Sequence, residues 1–147
     1  MTDTAQPQAL SPAAVVDAMH EAFRHGDLDA IAMHWHDDVV YEAPGVSMTG
    51  KPARIMAEQV WLGAFSENDV RTHARLVDGE AIIDFCTMSG VHTGPLMLPD
   101  GTAIPPSGAR ISGTYAARYR IVAGKVVEQE VIYDRLALLQ NIGVMPA

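Results

Sequence analysis

Cysteine is almost missing from this chain: Cys86 is the only one in 147 residues. No internal disulfide can form, and such usage fits a reducing, cytoplasmic compartment. Cys86 sits in a strand-like run, which predicts a buried, inert thiol. Positive charge is scarce too, with 10 Lys and Arg against 18 Asp and Glu and a formal net charge of −8. Nucleic acid and anionic membrane both require a basic footprint, so neither is expected as a partner. No apolar run is long enough to cross a bilayer. The opening MTDTAQPQAL has no basic start and no apolar centre, so no secretory signal is expected. There is no H-E-x-x-H, no cysteine cluster, no G-x-S-x-G and no Gly-rich phosphate loop. A resident metal, a serine nucleophile and a nucleotide cofactor therefore find no support. His34 and His36, placed on one predicted helix, would point about 200° apart and could not share an ion.

What is present is a globular composition, 48% hydrophobic and 19% charged, with length for one core. Residues 1–10 read as a flexible polar leader and 11–147 as a single domain. Ser11-Pro12 starts a helix; Val15, Val16, Met19 and Phe23 share its inner face to about His25. Asp29 is expected to cap a second helix reaching Trp35. A strand over 37–43 follows, ended by Pro44-Gly45. A third helix begins near Pro52, has Ile55, Met56, Val60 and Leu62 inside, and ends near Phe65. Ser66–Asp69 reads as a polar turn, and Val70–Val77 and Ala81–Val91 as strands joined at Asp78-Gly79. Gly94–Gly108 is a loop rich in Gly and Pro. Helices segregated from consecutive strands predict an α+β fold: a cone-shaped roll with a curved, mixed but largely antiparallel sheet and helices on its concave face. A pocket is expected between the two layers.

The last two strands are the most legible part. Tyr115–Ile121 and Val126–Tyr133 read as a hairpin, and a three-residue loop, Val122-Ala123-Gly124, would pair Ile121 with Lys125. That register sets Tyr119 against Val127, Ala117 against Gln129 and Tyr115 against Val131 on an apolar face. Arg118 then lies opposite Glu128, with Glu130 and Arg120 on the same charged face. A two-residue loop would slip one strand and turn the glutamates onto the aromatic side. Asp134 stands at the strand end, before a closing helix over Arg135–Ile142 that Gly143 terminates.

Four motifs carry a resemblance. Gly90-Val91-His92-Thr93-Gly94-Pro95-Leu96, Ile104-Pro105-Pro106-Ser107-Gly108-Ala109-Arg110, the Gly124-Lys125-x-x-Glu128 hairpin and the stretch from Asp134 to Gly143 resemble those of SnoaL-like polyketide cyclases. These are also called ester cyclases and belong to the nuclear-transport-factor-2-like superfamily. The likeness spans roughly residues 11–143. It implies a cofactor-free enzyme that removes a proton alpha to a carbonyl of a hydrophobic, polyketide-like molecule and closes a ring by aldol-type attack. It also implies a homodimer formed through the outer face of the sheet. Asp134 matches the family's acid/base aspartate; a match displaced by a few positions would place Val131 there instead.

The candidate residues each have a structural alternative. Asp134 is a proton acceptor or simply the N-cap of the last helix. His92, at a strand end beside the Gly-rich loop, can exchange protons near neutral pH or hold the loop through the backbone. Tyr41 is the favoured phenolic donor, ahead of Tyr115 and Tyr119, any of which can be a core aromatic. Trp35, Trp61, Met56, Phe65 and Met97 suit a flat apolar substrate or ordinary packing. Glu130, close to Glu128, is a possible substrate contact or one half of a surface salt bridge. Two other activities fit such a pocket: hydrolase or hydratase chemistry of the limonene-epoxide-hydrolase type with an activated water, and non-catalytic binding of a small molecule.

Overall fold

The computed structural model describes residues 9–146; of the leader expected over 1–10, residues 1–8 lie outside them. Ser11 caps α1 (Pro12–Arg24), its Oγ accepting from the Ala14 N–H at 3.2 Å, with Pro12 at the first position where no N–H is needed. Asp27, and not Asp29, caps α2 (Leu28–Ala32), accepting from Ala30 N. That helix ends at Ala32 after only five residues, and Trp35 already opens β1 (Trp35–Ala43). His36 consequently stands on a strand, where its Nδ1 accepts from Asp38 N. β2 (Val46–Thr49), unforeseen because it is so short, folds back on β1. α3 (Lys51–Ala64) follows.

β3 (Phe65–Asp78) begins directly where α3 ends. The expected polar turn at Ser66–Asp69 is instead strand interrupted by a bulge, with Glu67 at φ 51°. Polar residues there mark the irregularity, not a reversal of the chain. β4 (Ala81–His92) pairs along β3, and the loop after it contains a small separate hairpin, β5 (Leu96–Met97) with β6 (Ala103–Ile104). β7 (Arg110–Val122) and β8 (Lys125–Tyr133) complete the sheet, and α4 (Arg135–Asn141) closes the chain. The strand order is β2-β1-β8-β7-β4-β3, antiparallel throughout except for β1 beside β8. The fold is thus α+β with a mixed, largely antiparallel sheet.

The β7–β8 hairpin turns on two residues. Val122 pairs with Lys125, and Ala123 and Gly124 both have positive φ, 49° and 77°. This is the mirror-image turn that matches strand twist. The slip that would follow is cancelled by a bulge beyond Ile121–Val126, after which Arg120 faces Glu128 and Tyr119 faces Gln129. Face assignment therefore stands as expected, but each partner on β8 is displaced by two residues, so Tyr115 meets Tyr133 and Ala117 meets Val131. Arg118 and Arg120 bridge to Glu128 and Glu130 at 3.4–3.6 Å on the exposed side.

On the other side, α1 and α2 pack Val15, Val16, Met19 and Ile31 against Ile82, Ala117 and Tyr119 of the sheet. A second cluster gathers Ala64, Phe65, Leu96, Ile104, Ile111 and Ile142 at the far end. Members of both clusters wall one cavity.

Candidate active site

A cavity of about 430 Å³ lies between the helices and the inner face of the sheet. Alternation on the strands decides who reaches it. Gln129, Val131 and Tyr133 of β8, and Tyr115 and Tyr119 of β7, share the inner face, while Arg118, Glu128 and Glu130 face away. Its mouth includes Ser112–Thr114 and the exposed Asp134. Its depth holds Trp35, Tyr119 and His20, all largely buried.

The structure brings six of the expected residues to this cavity: Asp134, Tyr41, Trp35, Trp61, Tyr115 and Tyr119. Asp134 is also the cap of α4, with Oδ1 accepting from Ala137 N at 2.9 Å. The cap occupies Oδ1 and so does not decide between the two readings of that residue. Val131 lines the wall as well. Burial, more than any neighbouring charge, raises the Tyr41 phenol above its ordinary value, with Arg54 pulling the other way. Tyr115 and Tyr119 are also pushed up, chiefly by burial. These phenols stay protonated and can only donate or accept hydrogen bonds.

Five expected residues are elsewhere. His92 is fully buried at the end of β4 and does not line the cavity. Its Nδ1 accepts from Ser107 N at 3.1 Å and lies 2.8 Å from Ser107 Oγ, so it clamps the loop that precedes β7. An acceptor Nδ1 leaves the ring proton on Nε2, which has no partner among the described residues. Thr93 and Gly94 donate from their backbone to Ala64 O, tying the same motif to the end of α3. A Cβ at Gly94 would fall 2.0 Å from Gly63 O, so only glycine fits there. The motif is scaffold around the site. Phe65 is a core residue stacked on Trp61, centroids 4.3 Å apart. Met56 is 67% exposed, on the outer side of α3 and not its inner side, and Met97 is 45% exposed. Glu130 pairs with Arg118 on the opposite side of the sheet.

Three polar residues of the inner layer were not among the expected site residues. Arg54 of α3 is buried, bonds Glu58 one turn on at 2.7 Å, and lies over the rings of Trp35 (4.4 Å) and Tyr41 (4.1 Å). An Arg and a Glu four apart can pair on one helix face, and flat guanidinium stacks on aromatics. His20 lies among Val16, Met19 and Phe23 on the inner side of α1. Asp84, wholly buried, stands between Ile82 and Cys86 in the inward set of β4. Both its oxygens accept from Arg75, at 2.7 and 2.9 Å, and Arg75 also reaches Asp17 at 2.9 Å. A signal existed for each: a polar residue at an apolar position of an otherwise regular face.

A ring nitrogen of His20, a carboxylate oxygen of Asp84 and Cys86 Sγ lie within 4.8 Å of one another. The donor types suit a cation, but the Arg75 guanidinium already supplies the positive charge there. Burial raises the Cys86 thiol, keeping it from the thiolate form that binds metals. Among the described residues no helix is long and apolar enough to cross a membrane.

A family model described as SnoaL-like polyketide cyclase matches residues 13–142. No curated protein matches the sequence. Solved structures share the fold. AclR, a candidate hydroxylase from Streptomyces galilaeus, is 23% identical with a TM-score of 0.78, over 92% of this chain and 83% of its own. A candidate SnoaL-like polyketide cyclase from Jannaschia sp. CCS1 is 17% identical with a TM-score of 0.79, over 99% and 100%. An LEH-like epoxide hydrolase of M. tuberculosis is 18% identical with a TM-score of 0.66, over 87% and 86%. At these identities the likeness is one of fold.

Proposed function

The chain belongs to the SnoaL-like polyketide cyclase family, and on that premise we propose that it cyclises or isomerises an apolar, polyketide-like carbonyl compound without a cofactor. The observation that carries this reading is the occupancy of one cavity by a carboxylate, Asp134, and a protonated phenol, Tyr41, between aromatic walls. Asp134 takes the proton alpha to a carbonyl, and Tyr41 donates to that carbonyl's oxygen as charge gathers there. The carbanion attacks a second carbonyl of the same molecule, and the new alkoxide regains a proton. Trp35 and Trp61 hold the flat skeleton. His92 enters only by fixing the loop. A cytoplasmic setting belongs to the same reading, as does a second copy of the chain as partner.

Two observations favour competing readings. Asp134 is exposed at the mouth, where an activated water is available for hydrolase chemistry. Val131 on the wall and Asp134 as helix cap are also what a non-catalytic binder would have. The test is incubation with aromatic and polyketide-like carbonyl compounds in isotopically labelled water, using wild type and Asp134→Asn. Asparagine caps a helix as well as aspartate does, so α4 persists while the base is lost. Turnover is expected to fall on the order of a hundredfold or more in this variant, with no label needed in the product. Full turnover in the variant removes Asp134 from the chemistry. Label incorporated by hydrolysis assigns water chemistry, and binding without turnover assigns a carrier.

A further inference from the structure

We propose that His20, backed by the buried Asp84–Arg75–Asp17 chain, is a second proton acceptor of this cavity, serving a carbon acid bound at its deep end. The inference rests on reading the cavity as a proton-transfer site, and it concerns a residue that no motif of the family-like stretches contains.

The geometry has three parts. His20 is on α1 and lines the cavity, yet the residue is only 7% exposed and its Nε2 has no hydrogen-bond partner among the described residues. An imidazole placed on an apolar helix face for packing alone would leave a polar atom unsatisfied, which is costly. Across from it, Asp84 lies within 4.8 Å on β4 and is wholly buried. Asp84 shares Arg75 of β3 with Asp17 of α1, so two carboxylates flank one guanidinium. That chain carries one net negative charge. Asp84 and Asp17 offset part of what burial, Arg75 and Arg24 cost the imidazolium that forms when His20 accepts a proton.

The charges that face His20 are Asp84 of β4, Arg75 of β3, and Arg24 and Asp17 of its own helix. Burial is the largest influence and holds the ring below its ordinary value; Asp84 opposes it. A resting neutral imidazole is the form a base requires near neutral pH. Asp84 touches no substrate and is a positioning residue.

A flat carbon acid tests this without knowledge of the natural substrate. In a nitro-substituted benzisoxazole, a base takes the ring C–H proton, that electron pair forms the nitrile, and the N–O bond breaks to release a coloured phenolate. The protein is expected to accelerate this elimination beyond free imidazole at equal concentration. His20→Ala should lose on the order of a hundredfold in rate, and added imidazole, which fits the space vacated, should restore part of it. His25→Ala, changed at an exposed histidine outside the cavity lining, should keep the wild-type rate. In the wild type, the pH midpoint of the rate should coincide with that of the His20 ring followed by NMR, and Asp84→Asn should lower both.

An unchanged rate in His20→Ala overturns the proposal. So does a loss that imidazole cannot restore in a variant with native melting temperature, since His20 then only shapes the wall. If His20→Ala fails to fold, the two wild-type midpoints decide, and a mismatch overturns it. Failure of ring closure on natural-product-like compounds leaves this result standing, and the reverse also holds.

Discussion

Single side chains in the inner layer carry charges turned inward by helical spacing at Arg54 and Glu58 and by strand alternation at Asp84. Arg54–Glu58 and Arg75–Asp84 are shielded from water, where an ion pair is weak as a source of stability but its disruption is severe. His20 has a milder and more easily read effect. Burial lowers its pKa from 6.5 in the folded protein. Below that value the unfolded chain binds a proton that the folded one refuses. Stability from this source is complete above pH 6.5 and is lost as pH falls through the folded value. One such proton contributes a slope of at most about 1.4 kcal/mol per pH unit. His34 is shifted in the same direction by partial burial and adds to the same window. The melting temperature of the wild type should therefore fall more steeply below pH 6.5 than that of His20→Gln. Parallel curves would mean that His20 titrates alike in both states.

At the level of elements, the β7–β8 hairpin offers the sharpest check. Its turn puts Ala123 at φ 49°, a region where a Cβ is strained and where Asn is well tolerated. Ala123→Asn creates the Asn-Gly pair favoured in such turns and should stabilise by about 0.5–1 kcal/mol, raising the melting temperature by a few degrees. A three-residue loop, with Gly124 alone left-handed, would give no gain. This hairpin also shows what a sequence can and cannot disclose. The inward and outward sets of Tyr115–Tyr133 follow from alternation, so the apolar and charged sides were legible. The bulge that rescues a two-residue turn leaves no composition of its own, so the register was not. The caps Ser11 and Asp134 were readable because capping is local chemistry; β2 and the β5–β6 hairpin, held by tertiary pairing, were not. The candidate site divides in the same way. Trp35, Tyr41 and Asp134 reach the cavity as their positions suggested. His92 does not, because a strand end can turn its imidazole to a loop as readily as to a pocket. His20, Arg54 and Asp84 were visible as breaks in apolar faces, but which break borders a cavity depends on the whole packing.

For the molecule as a whole, the two faces of the sheet have different fates. The inner one is covered by helices and keeps the cavity. The outer one presents Leu76, Ile83, Phe85 and Ile132, each at least 36% exposed, next to the Arg118–Glu130 and Arg120–Glu128 ladder. Phe85, Ala116 and Ile132 form one continuous row across β4, β7 and β8. A patch with apolar residues flanked by both signs of charge is self-complementary about a two-fold axis, which suits an isologous dimer. Phe85→Glu puts a charge in the centre of that row and, in a dimer, into its own symmetry mate. Sedimentation velocity should find two copies for the wild type and one for the variant. Because Phe85 points away from the cavity, the variant should still bind whatever the wild type binds, with an unchanged affinity. If the wild type sediments as one copy, the outer face is simply solvated; if the monomeric variant also loses binding, the dimer shapes the cavity from behind the sheet.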